Sequence, residues 1–282
     1  MIPILGGLGA AAMWGGSTLA ASRSTKLIGT RQALAYVMLF GLLATAVLAA
    51  ASGLPQHAGP RSLAWAVLAG AASAAGLSMM YRALRHGKVG VVAPIASTEG
   101  ALAAVFSVAF LGERLTVGVA ACLAVIVVGV VAVTLHGGRA DVHLRPSLDA
   151  LAAACAFGVG LVGSAQAGHG LGPFWTILVA RVVGVATVTL PLVVRGRLPR
   201  PGPALRLLWF SGLAELFGFA AYIEGARGGA AIPAVLGSQF AAVATLGSFL
   251  LFGERLLTRQ LASGAVIVAG VGALAVLRAQ GV

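Results

Sequence analysis

Seven acidic residues serve a chain of 282, and two of them, Glu99 and Glu215, stand near the middle of long apolar runs. An ionised carboxylate there costs at least about 2.5 kcal/mol even on the lenient insertion scale, so each must face a cavity or a partner. Two chemistries suit such a group: reversible protonation that couples flux to a proton gradient, and ionic contact with a substrate amine. The structural reading is a buried ion pair, and Arg181, the one arginine deep in an apolar run, is the obvious mate for either. The other acids are less informative. Glu224 lies three residues before Arg227 and reads as an interfacial pair of little energetic weight. Asp141 and Asp149 fall in or beside the most charged break and are expected to be solvated. Glu113-Arg114 and Glu254-Arg255 belong to two Gly-Glu-Arg-Leu motifs at the start of apolar runs. A carboxylate there accepts from free backbone N–H groups and meets the positive end of the helix dipole, which is a structural role.

Other polar residues share helical faces with these acids. Trp14, Ser17 and Thr18 share one face; Glu215 and Tyr222, seven apart, share another, with Gly218 between them. Tyr81 stands where Tyr222 stands in a second, similar stretch, and Ser97-Thr98 match Ser238-Gln239 in the same way. As a set they are expected to line a mostly apolar cavity with a few oriented polar groups, as small-molecule sites do. Taken singly, each suits an interhelical hydrogen bond equally well. Pro94 and Pro233 interrupt backbone hydrogen bonding and act either as hinges or as helix starts. No catalytic residue, metal or cofactor is expected. The five histidines show no ligand spacing, Cys122 and Cys155 lie in apolar runs, and no nucleophile–base cluster or phosphate-binding loop is present in the sequence.

The elements that must position these residues follow from composition. The chain is 59% hydrophobic, 9% charged and has a mean hydropathy of +1.00, against roughly 25% charged residues in soluble domains. Its net charge of +12 does not point to nucleic acid, because the basic residues sit in short breaks between apolar runs. Ten runs of near-bilayer length can be drawn, at 3–21, 33–53, 62–83, 90–111, 117–136, 148–167, 174–194, 204–225, 231–252 and 259–278. Each must be helical, and the first reads as a retained span. The stretch from Tyr81 to Thr116 recurs from Tyr222 to Leu257, an offset of 141 residues that also relates the two Gly-Glu-Arg-Leu motifs. A period near half the chain implies two halves: a first five-helix repeat at 1–136, a connecting loop at 137–147 and a second repeat at 148–282. Five is odd, so the second half enters the membrane inverted, a plan common in alternating-access transporters. Fourteen Lys and Arg residues fall in the odd-numbered breaks and four in the even-numbered ones. That bias makes the odd breaks cytoplasmic and puts both termini outside.

These residues resemble the drug/metabolite transporter superfamily, specifically its EamA-type members. The resemblance is carried by the doubled Gly-Glu-Arg-Leu and the aromatic-Gly pairs Trp14-Gly15 and Phe157-Gly158. It extends to the passage from Ala83 to Pro94, echoed from Gly225 to Pro233. It implies an all-α integral membrane protein of ten helices in two inverted five-helix repeats around a central cavity. It also implies an N-terminus inside, against the charge bias. Arg181 matches an arginine of many members in the second helix of the second half, where the first half has Met38 or a neighbour.

The expectation is therefore a multi-pass secondary transporter of a bacterial inner membrane, not an enzyme. It would move, in the direction of export, amino acids or similar amphipathic metabolites by alternating access. Its partners would be a small-molecule substrate and membrane lipid, and ten helices suffice to enclose a cavity in a monomer. The rival readings are a lipid-linked-sugar flippase or a sugar or phosphate-metabolite carrier, which would want several cavity arginines. An intramembrane enzyme is a more remote rival.

Overall fold

The computed structural model describes residues 2–55, 57–111, 144–228 and 230–253, with isolated positions between 118 and 125 and between 262 and 273. The described backbone is helical, with no strand among the described residues. Three long helices open the chain: α1 (Ile2–Ile28), α2 (Thr30–Ala51) and α3 (Pro60–His86). Gly29, at φ 95°, makes the tight turn between the first two, a backbone conformation that a side chain resists. The fourth apolar run divides into α4 (Val89–Ala96) and α5 (Glu99–Leu111). The expected fifth and tenth spans lie outside the described residues apart from isolated positions, as do Glu113, Arg114, Glu254 and Arg255.

The second half begins with α6 (Leu144–Gly184), which continues through a π turn (Val185–Thr189) into α7 (Leu190–Val194). Together these 51 residues would measure roughly 77 Å as one rod, more than twice the ~30 Å hydrocarbon core. The chain bends instead at Gly172, whose φ of 70° and ψ of 173° are not helical, and Pro173 restarts the helix. Then come α8 (Leu205–Gly225), α9 (Ala231–Gly237) and α10 (Phe240–Phe252). Among the described residues five stretches are long and apolar enough to cross a bilayer: α1, α2, α3, the 51-residue α6–α7 stretch and 202–225.

The expectation of unbroken fourth and ninth spans needs correction. Both break, and at matching positions, Ser97-Thr98 and Ser238-Gln239. At each break the hydrogen bonding tightens: Thr98 N donates to Ile95 O at 3.2 Å and Gln239 N to Leu236 O at 3.1 Å. Each serine hydroxyl donates to a carbonyl of the preceding turn, Ser97 to Pro94 O at 2.7 Å and Ser238 to Ala234 O at 2.8 Å. At the first break this satisfies Pro94 O, which the tightened turn leaves without its backbone donor; at the second, Ala234 O accepts from both Ser238 N and its hydroxyl. Pro94 lies inside the short helix that precedes the first break, whereas Pro233 lies in the first turn of the short helix that precedes the second.

The two halves interlock through helix pairs. The most extensive packing joins α3 to α6 and α1 to α8, so the first helix of each half lies on the third helix of the other. Glycines permit that approach. A Cβ on Gly218 would fall 2.5 Å from Trp14 Nε1, and one on Gly76 would fall 2.6 Å from the Phe157 ring. Large apolar side chains such as Leu246, Phe249, Leu250 and Leu251 of α10 stay exposed on the outside. That is the surface a bilayer, rather than water, would cover.

Candidate functional site

At the centre of the bundle α1, α3, α5, α6, α8 and α10 surround a cavity of about 40 Å³, measured over the positions a water centre can occupy. Its wall is largely apolar, with Leu77, Met80 and Leu84 from α3, Phe157 and Leu161 from α6, and Phe219 and Phe240. The polar groups are Ser17 and Thr18 of α1, Tyr81, Glu99 and Glu215, with Trp14 beside them. The space holds a few waters at most.

Each polar group is placed by its helix. Glu99 occupies the first turn of α5 because the break at Ser97-Thr98 starts a new helix there, not because it lies mid-span. It is 5% exposed, lines the cavity, and has no ion pair or hydrogen bond among the described residues. Glu215, on α8, is held on both oxygens. Ser17 Oγ donates to its Oε1 at 3.0 Å, and Arg181 Nη2 lies 3.6 Å from its Oε2. Ser211, one turn before Glu215, links Ser17 Oγ at 2.8 Å to Tyr81 OH at 3.2 Å. A chain of hydroxyls therefore runs from α3 through α8 to α1 and ends on a carboxylate.

Arg181 reaches Glu215 from the far side. Its side chain is 4% exposed. Gly41 leaves room for it, since a Cβ there would sit 3.1 Å from Arg181 Nε. Arg181 Nη1 donates to Met38 Sδ at 3.3 Å. These two residues are 143 positions apart, as are Trp14 and Phe157. A smaller cleft beside the guanidinium holds Ser73, Ser164 and Thr176.

The expected cavity set divides. The structure brings together Trp14, Ser17, Tyr81, Glu99 and Glu215, with Arg181 behind Glu215. Ser97, Thr98, Ser238 and Gln239 do not line the cavity; they form the two helix breaks, where Thr98 Oγ1 donates to Ile95 O at 2.8 Å. Tyr222 is also off the wall: its hydroxyl donates to Leu161 O at 3.2 Å and its ring lies 6.1 Å from that of Trp14. Sequence reasoning missed Ser211, although its position one turn before Glu215 puts both on one helical face. Trp14 packs edge-on against Phe219 at 5.1 Å, and its buried Nε1–H has no acceptor among the described residues. The electrostatic balance is uneven: of two carboxylates on one cavity, only Glu215 has a cation among the described residues.

Among the described residues no group of three or more His, Cys, Asp or Glu side chains could hold a metal.

The pattern of the EamA-like transporter family matches residues 1–135. A solved structure described only as a crystal structure of a protein aligns with 97% of this chain and 96% of its own. Its TM-score is 0.68 and its sequence identity 21%, which shows a shared fold across both halves. No curated protein sequence matches the chain. The chain is a multi-pass membrane protein, and its residues 1–135 match the EamA-like transporter family of the drug/metabolite transporter superfamily.

Proposed function

We propose that the chain is a secondary transporter that exports small amine-bearing metabolites, amino acids among them, across a bacterial inner membrane by alternating access. The observation that carries this reading is Glu99: a buried carboxylate, aimed into a mostly apolar cavity, with no cation among the described residues. An ionised carboxylate in that setting calls for a proton or a substrate ammonium group. Competition between the two for one carboxylate couples their movements in opposite directions. The unpartnered Trp14 Nε1–H, on the same wall, offers a donor for a substrate carboxylate or carbonyl. A phosphate-bearing substrate is less well served, since Arg181 is already engaged by Glu215.

The cavity of about 40 Å³ is smaller than a metabolite, so substrate binding requires the surrounding helices to move apart. The two helix breaks are natural points of bending, because their backbone bonding is already tightened and partly replaced by side chains. The reciprocal contacts Trp14–Gly218 and Phe157–Gly76 support two halves related by an inverted two-fold arrangement. Such halves can rock about a fixed central site. The test is flux of a radiolabelled panel in proteoliposomes: amino acids, their N-acetyl derivatives and sugar phosphates. Saturable counterflow of the free amines alone is expected; transport of acetylated or phosphorylated compounds in preference would overturn the reading.

A further inference from the structure

A second cleft, of about 740 Å³, opens on another face of α3. Leu77, Met80, Tyr81 and Leu84 point to the central cavity, whereas Ser78, Arg82 and Arg85 line this outer cleft, so α3 separates the two spaces. The cleft lies at the end of the bundle where α1 passes into α2 and where α3 and α7 finish. Its rim carries Arg31, Arg82, Arg85, His86 and Arg195, and its deeper wall is Val188, Pro191 and Leu192. An adjoining cleft of about 450 Å³ shares Arg82 and His86 and adds Arg145 and Asp149.

Charge is unbalanced here. Asp149 is the one acid on either lining, and it binds Arg82 at 2.9 Å. Arg31, Arg85, Arg145 and Arg195 have no acidic partner among the described residues. Cations gathered from four separate stretches of chain repel one another unless an anion joins them. The cleft is also amphipathic in the right order: basic at the helix ends, apolar one to two turns deeper, with Leu190, Val193 and Val194 of α7 exposed alongside. It is on the side rich in Lys and Arg, which ordinarily faces the anionic cytoplasmic leaflet.

We propose that this cleft binds the phosphodiester headgroup of an anionic phospholipid, with the acyl chains running along the exposed face of α7. The lipid would tie α2 and α3 of the first half to α7 of the second at one membrane surface. It is a site distinct from the transport cavity, and its occupant belongs to the bilayer rather than to the flux.

The experiment titrates the purified chain, in a neutral detergent, with phosphatidylglycerol or phosphatidylcholine and counts bound lipid by native mass spectrometry. Phosphatidylglycerol is expected to be retained selectively. Arg85→Gln and Arg195→Gln should each weaken it roughly five-fold, and together about thirty-fold. Arg85→Lys should keep most of the binding, and Asp149→Asn should tighten it by releasing Arg82. Arg61→Gln, at the opposite end of α3, should change nothing. Equal retention of the two lipids, or an equal loss in Arg61→Gln, would overturn the proposal. Displacement of phosphatidylglycerol by millimolar inorganic phosphate would mark a soluble-anion site and overturn it as well. Should the double variant misfold, the opposite shifts of Asp149→Asn and Arg85→Gln still decide.

Discussion

Arg181 sets its Nη2 3.6 Å from Glu215 Oε2, the two side chains being 4% and 9% exposed. That single contact sorts the two intramembrane carboxylates. Glu215 is held as part of the scaffold, with Ser17 on its other oxygen, and Glu99 is left as the cavity carboxylate with no counter-ion among the described residues. On the reading proposed above, the structural role, open to both acids from sequence, goes to Glu215 and the functional one to Glu99.

If Glu215 is structural, removing its partner should be more damaging than removing both. Arg181→Met leaves a carboxylate buried without a cation, an error that costs about 3–5 kcal/mol in well-buried pairs. The double variant Arg181→Met, Glu215→Gln removes both charges and is expected to recover most of the loss. Unfolding midpoints in mixed detergent, read for both variants beside the parent, check this. Equal damage in the single and double variants would show that the pair is not coupled.

Helix approach at the two aromatic–glycine contacts gives a second expectation. Gly218→Ala brings a methyl to 2.5 Å from Trp14 Nε1, and over-packing of this kind costs about 1–3 kcal/mol. Gly76→Ala, against Phe157, should cost a similar amount. Trp14→Leu should relieve Gly218→Ala and leave Gly76→Ala unrelieved, which thermal denaturation of the four variants can read.

Much of this was legible in the sequence, and the limits have physical causes. Apolar runs of bilayer length give the helices directly, because a bilayer forbids open backbone. Gly172-Pro173 marked the turn inside the 51-residue stretch, since only glycine sits easily at a φ of 70°. The breaks at Ser97-Thr98 and Ser238-Gln239 were not legible as breaks: serine and threonine hydrogen-bond the preceding turn in straight and broken helices alike. Hydropathy also cannot tell α4 and α5 from one continuous span. The resemblance placed Met38 or a neighbour opposite Arg181 in the first half, but only the fold shows that Arg181 contacts Met38. Ser211 was passed over because a lone serine in an apolar helix carries no signal until its neighbours across helices are known.

The helix breaks should govern turnover more than affinity. Pro94→Ala restores a backbone N–H inside α4 and favours a straighter, stiffer helix. It is expected to slow flux several-fold with substrate affinity nearly unchanged, as separated by equilibrium binding and by initial rates in proteoliposomes. A weakened affinity at unchanged maximal rate would place Pro94 in the cavity wall rather than in a hinge.

The central claim is that Glu99 is the carboxylate at which proton and substrate amine compete. Its most direct test is the flux of a transported amine in proteoliposomes with and without an imposed pH gradient, for the parent chain and for Glu99→Gln. Gradient-driven accumulation is expected in the parent and should vanish in Glu99→Gln, whose fold, held by the Arg181–Glu215 contact, stays intact. Gradient-driven accumulation that survives Glu99→Gln would contradict the account and leave Glu99 as a merely structural acid.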